Sequence, residues 1–192
     1  MSLLSGGFSD PAAQSARAFR QIMTAMARPG QIVTIEGGQG PAPLTPALAT
    51  LALTLFDNTT PIHLAGAFDC PELRQWLSFH CGAPLVAAEQ AQFALGLWHD
   101  LAPLSRFNHG DPAYPDRSAT LIVAWETLEN HGSCLRGPGI ETEIALNLPQ
   151  SPAFSANRAL FPRGLDFIFA AHSHIAALPR STRVTTTAEE IL

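Results

Sequence analysis

Residues 118–125 read SATLIVAW, an apolar run without alternation. A strand with one wet face alternates apolar and polar residues, because successive side chains point to opposite sides of the sheet. The unbroken stretch Leu121-Ile122-Val123-Ala124 therefore predicts a strand covered on both faces, as in a sheet held between two other layers. AQFALGLW (91–98) has the same character. LDFIFAAHSHIAALPRSTRV (165–184) reads as a buried strand followed by a second extended piece leading into Pro179. The chain must supply two covering layers for these strands.

Helical patterns between the apolar runs supply candidates for the covers. The first predicted helix spans 11–27, where Ser9 or Asp10 can cap the start and Pro11 suits the first turn. Ala16, Phe19, Met23 and Met26 recur at three- and four-residue steps and are predicted to form its core-facing stripe. Arg17, Arg20, Gln21 and Thr24 then fill the other side, and Arg28-Pro29-Gly30 ends the helix. QIVTI (31–35) reads as a short strand running into the Gly-rich loop GGQGPAP. A helix from Thr45-Pro46 to about Phe56 carries Leu48, Leu51, Leu53, Leu55 and Phe56, leaving almost no polar face, so burial on several sides is expected. A strand at 61–64, a helix at 71–79, a strand at 144–148 and a helix from Ser151-Pro152 to about Leu160 follow. Helices and apolar strands alternate throughout, which favours a layered α/β domain. With no internal repeat and no dividing linker, residues 1–192 read as one domain, with about eight N-terminal residues expected to be flexible.

Composition excludes several chemistries. The chain has no lysine; all 11 of its Lys+Arg residues are arginine. A Schiff base to pyridoxal phosphate needs a lysine amine, and a Walker A loop needs its lysine on the phosphates. Arginine is suited instead to planar, bidentate contact with carboxylate or phosphate. A net charge of -5 argues against a nucleic-acid partner, which selects for a basic stripe. Only 14% of residues are charged, against roughly 25% in typical soluble domains, and this raises the expectation of a permanent protein partner. Cys70, Cys81 and Cys134 are widely spaced with no CxxC, so no zinc ribbon or iron–sulfur cluster held by this chain is expected. The opening MSLLSGGFSDP lacks a basic region and a long apolar run, and the longest apolar stretch is too short to span a bilayer. A cytoplasmic protein is expected, with no membrane partner.

The remaining question is whether any residues form a site. RGPGIETE (136–143) could be an anion loop, since glycine lets backbone N–H groups approach a ligand. A phosphate cradle ordinarily follows a strand and opens a helix; this segment joins two extended pieces, which favours a turn. His172 and His174 would share a strand face and could reach one metal ion, but no third ligand sits at metal-site spacing, and a structural role is the expectation. His80-Cys81 offers two adjacent donors with the same shortfall, and Glu141 and Glu143 read as a solvated turn exit. There is no GxSxG elbow. Arginines beside prolines recur at Arg28-Pro29, Pro162-Arg163 and Pro179-Arg180. In LPRSTRV, Arg180, Thr182 and Arg183 offer several donors together; with Arg136, these are the candidates for anion or partner contact. No catalytic, cofactor-binding or metal-binding residue is assigned. The residues alone leave open a stand-alone phosphate-ester or nucleotide-binding enzyme built on the arginine-rich turns, with a metal at His172 and His174.

Six stretches stand in an order that resembles a known family: FRQIMTAMARPG, LTLFDNTTPIHL, SFHCGAPL, the GPGI turn, FPRGLDFIF and ALPRSTRV. Together they resemble the H subunit of the bacterial carbon–phosphorus lyase system (PhnH), from Phe19 to Val184. The resemblance implies a three-layer α/β/α sandwich with a mixed sheet, like that of pyridoxal-phosphate-dependent transferases but without the cofactor. It implies a role in phosphonate catabolism, where the H subunit works with the G, I and L subunits. Their product is α-D-ribose 1-methylphosphonate 5-triphosphate, made by displacing adenine from ATP with methylphosphonate. It further implies a homodimer in isolation and a core complex with the G, I and J subunits, the J subunit carrying the iron–sulfur chemistry. The family offers no catalytic residue to place on this sequence. Arg136 stands where family members often have a small hydroxyl residue, and Arg163 where an aliphatic residue is common.

Overall fold

The computed structural model describes residues 5–150 and 152–185. Helices α1 (Pro11–Ala27), α2 (Pro46–Leu55), α3 (Pro71–His80), α4 (Trp98–Leu101) and α5 (Ala153–Ala159) are interleaved with nine strands. These are β1 (Val33–Thr34), β2 (Ile62–Leu64), β3 (Phe93–Leu97), β4 (Thr120–Ala124), β5 (Ser133–Arg136), β6 (Ile144–Leu146), β7 (Asp166–Ala171), β8 (His174–Leu178) and β9 (Arg183–Thr185). Six of them form a mixed sheet in the order β1-β8-β7-β4-β3-β2, and β6-β5-β9 form a small antiparallel sheet. Strands β2, β3, β4 and β7 run parallel, while β8 turns back antiparallel to β7 and β1 pairs antiparallel to β8.

The unbroken apolar runs become the centre of the large sheet, and their side chains divide between two cores. Ile122, Ala124, Ile168, Ala170, Ile175 and Ala177 face one core with α1, α2 and α3. Leu121, Val123, Phe167, Phe169, Ala176 and Leu178 face the other. This alternation is the two-residue period of a strand, expressed with apolar residues on both sides. The protein is thus an α/β sandwich with a mixed sheet. Its second cover, however, is not a layer of helices alone: Leu135 and Leu146 of the small sheet pack there beside Phe154 of α5.

Local signals set most element ends. Asp10 accepts the Ala13 N–H at 3.3 Å and Thr45 accepts that of Leu48 at 3.3 Å, capping α1 and α2 ahead of Pro11 and Pro46. In α2, six consecutive residues from Ala47 to Ala52 are buried. The predicted stripe of α1 needs correction. Ala18, Ile22 and Ala25 face the core, Met26 packs partly against it, and Ala16, Phe19 and Met23 are exposed. Small residues at 18 and 25 let the helix lie close to α2 and β8, which it contacts. Trp98 also departs from expectation: it opens α4 instead of ending the strand. Ser151, expected to open the fifth helix, lies outside the described residues.

The 136–143 segment is the connection of the β5–β6 hairpin. Gly139 sits at φ +83°, and a Cβ there would lie 2.1 Å from the Ala27 carbonyl oxygen. Gly30, at φ +81°, has Ile144 Cγ2 2.6 Å from where its Cβ would stand. The end of α1 and this turn therefore meet backbone against backbone at Gly139, Gly30 leaves room for the Ile144 side chain, and glycine is required for the approach as well as for the dihedral angle.

Candidate functional site

The sequence candidates divide once placed in the fold. Arg180 is largely buried, its side chain 15% exposed beside an Asp166 side chain that is 14% exposed. Its backbone N–H donates to Asp166 Oδ1 at 2.7 Å and its Nε to the same oxygen at 3.1 Å. The two terminal nitrogens donate to Asp166 Oδ2 and to the Pro115 carbonyl. This guanidinium is engaged inside the fold. Thr182 is 3% exposed, and its hydroxyl has no hydrogen-bond partner among the described residues. Arg183 is exposed on β9 and faces Arg136 across the β5–β9 pair.

Arg136 reaches across its own hairpin to Glu143, with Nη2 2.6 Å and Nε 3.2 Å from Oε2. The Arg136 guanidinium, followed by the Cys134 thiol 3.5 Å away, holds the Glu143 carboxyl below its ordinary range. Arg74 does the same for Asp69 through a short paired contact. At Asp57 the hydroxyl of Thr59 is the main cause, helped by its N–H and by Thr60. Burial acts the other way on Cys81, whose thiol is pushed up to about 12 and donates to the Ala52 carbonyl at 3.7 Å. Such a thiol is a packing group, not a nucleophile.

The histidine pair does not sit on a strand as expected. His172 and Ser173 form the two-residue turn between β7 and β8, with His172 at φ +50°, and only His174 belongs to β8. The turn ties in through its backbone: His172 accepts from the Ala47 N–H and Ser173 from that of Ile35, both at 2.8 Å. Both imidazoles are exposed. Among the described residues, no group of three or more His, Cys, Asp and Glu side chains is placed to hold a metal ion.

Open parallel sheets place ligands beyond the carboxyl ends of their strands. Beyond the ends of β3 and β4 lies a cleft of ≈ 300 Å³ walled by Trp98 and Trp125, with His99, Glu126 and Asn147 at its rim. Trp98 stacks on Phe154 at 5.0 Å between ring centres, and Trp125 meets Phe169 edge-on at 5.9 Å. Asn147 braces the rim, accepting the Glu129 N–H at 2.8 Å and donating to the Thr127 carbonyl at 2.9 Å. His99 is 3.4 Å from Asp100 and largely exposed. The cleft is suited to a planar or apolar group with polar contacts at one end. Sequence reasoning missed it, although a signal existed: two apolar runs each close on tryptophan.

The model of the bacterial phosphonate metabolism protein family (PhnH) matches residues 6–185. The chain belongs to the PhnH family. This PhnH-family chain is 36% identical over 191 residues to the α-D-ribose 1-methylphosphonate 5-triphosphate synthase subunit PhnH of Rhizobium meliloti (strain 1021), covering 95% of one and 96% of the other. It is 30% identical over 173 residues to the "Putative C-P lyase subunit protein HtxG" of Stutzerimonas stutzeri, covering 87% and 84%. No helix among the described residues is long and apolar enough to cross a membrane.

Proposed function

We propose that this chain is the H subunit of a bacterial carbon–phosphorus lyase system. It acts with G, I and L subunits in forming α-D-ribose 1-methylphosphonate 5-triphosphate from ATP and methylphosphonate. The observation that carries this reading is the end-to-end likeness to a synthase subunit, 36% identical across 95% of this chain and 96% of the relative. The role is structural or co-catalytic, within a transferase whose active centre is completed by other subunits. The chain forms a homodimer alone and joins G, I and J subunits in the bacterial cytoplasm.

A specific observation weighs against a stand-alone enzyme built on the arginine-rich turns. Arg180 is bound to Asp166 and Arg136 to Glu143, so two of its intended anion contacts already hold carboxylates. Deletion of the gene in its host tests the proposal. Growth on methylphosphonate as sole phosphorus source should cease, growth on inorganic phosphate should continue, and the wild-type gene should restore the phenotype. Undiminished growth on methylphosphonate after deletion would refute it.

A further inference from the structure

The cleft between α5 and β9 gathers donor side chains from two elements. It is an open cleft of ≈ 480 Å³ lined by Ser155, Arg158, Ala159, Arg183, Val184 and Thr185. Ser155, Arg158 and Ala159 are three and four residues apart, so they share one face of α5, and the cleft runs along that face. Opposite them, β9 is the outer strand of the small sheet. Among the described residues, no carboxylate lines this cleft. In a chain with 16 acidic residues against 11 basic ones, two arginines without an acid among them form a local positive site.

Arg158 is the built part of the site. Its Nε is buried with no hydrogen-bond partner among the described residues, and its guanidinium lies over the Phe161 ring, 4.6 Å from the centre. The ring fixes the plane of the guanidinium before any ligand arrives. Because Nε is shut away from solvent, an anionic oxygen in the cleft would meet the terminal nitrogens of Arg158, with a charge-assisted hydrogen bond. Arg183 supplies a second charge from β9. Glu143, on the neighbouring hairpin, is already held by Arg136.

We infer that this cleft binds a phosphate-type oxyanion carried by a small molecule. Arg158 and Arg183 contact its oxygens, and the hydroxyls of Ser155 and Thr185 complete the donor set. The volume exceeds that of a lone phosphate and lies within the range of about 300–1,000 Å³ usual for small-molecule sites. The inference goes beyond the proposed function, which gives this chain no ligand contact, and does not depend on it.

Calorimetric titration of the full chain with inorganic phosphate, tripolyphosphate and ATP, at low salt and at about 0.15 M salt, tests it. One saturable site per chain is expected, weakened about tenfold in Arg158→Gln and in Arg183→Gln. Arg20→Gln, on an exposed face of α1, should bind as the wild type does. Stronger binding of ATP or tripolyphosphate than of inorganic phosphate would identify a phosphorylated molecule as the ligand; equal binding would overturn the small-molecule assignment. Arg183 is exposed, so its variant tests the site even if Arg158→Gln fails to fold. Absence of saturable binding, or an equal loss in Arg20→Gln, would overturn the inference.

Discussion

Arg180 joins three segments that are remote in sequence: its own turn, Asp166 at the start of β7, and the carbonyl of Pro115. Removing one member of a largely buried, hydrogen-bonded pair leaves the other charge unpaired. Arg180→Ala should therefore lower unfolding stability by about 3 kcal/mol, whereas Arg136→Ala, whose pair with Glu143 is exposed, should change it far less. Urea titration of the two variants checks the contrast, and equal losses would contradict it. The proline beside Arg180 was legible as a rigid turn. What that turn presents its arginine to was not, because the partners lie 14 and 65 residues away and no local pattern carries such distances. The pH dependence belongs to this scale as well. Asp57, Asp69 and Glu143 have carboxyls lowered in the folded state, so their contributions are complete above the ordinary carboxylate values and are lost as pH falls through the folded ones. The thermal midpoint should be flat from about pH 7 to 5 and fall below about pH 4. An Arg74→Gln/Arg136→Gln variant should fall less steeply there, and matching slopes would count against the assignment.

At the scale of elements, existence was legible and facing was less so. The runs at 118–125 and 165–178 became the sheet centre because an unbroken apolar strand has few other places to go. The face of α1 was misread because two apolar stripes overlap on that helix, and volume decided between them. Alanines at 18 and 25 permit close packing, while Phe19 and Met23 were left outside. The RGPGIETE segment was legible as a turn between extended pieces. That its second glycine meets the end of α1 depends on tertiary contact and could not be read locally. Gly139→Ala should lower stability by about 2 kcal/mol or more, from a positive φ combined with a backbone collision. Gly132→Ala, also at positive φ but with its nearest neighbours 3.5 Å from the added carbon, should cost less. Thermal denaturation of the two variants orders them, and a reversed order would remove this contact from the account.

For the whole molecule, the sheet and its covers explain why so few charges are needed: a chain with 14% charged residues buries both faces of its central strands. The tryptophan-walled cleft and the arginine-lined cleft are both assembled from residues far apart in the chain, which is why neither emerged from spacing. Family membership was legible because six short stretches kept their order, although none of them marks a site. The central claim is that this chain works as one subunit of a larger assembly. Co-expression of the tagged chain with the G, I and J subunits of its host, followed by affinity purification and sizing, measures that directly. The account expects one stable complex containing all four chains in fixed proportion. Recovery of a complete G–I–J assembly with this chain eluting alone would contradict it.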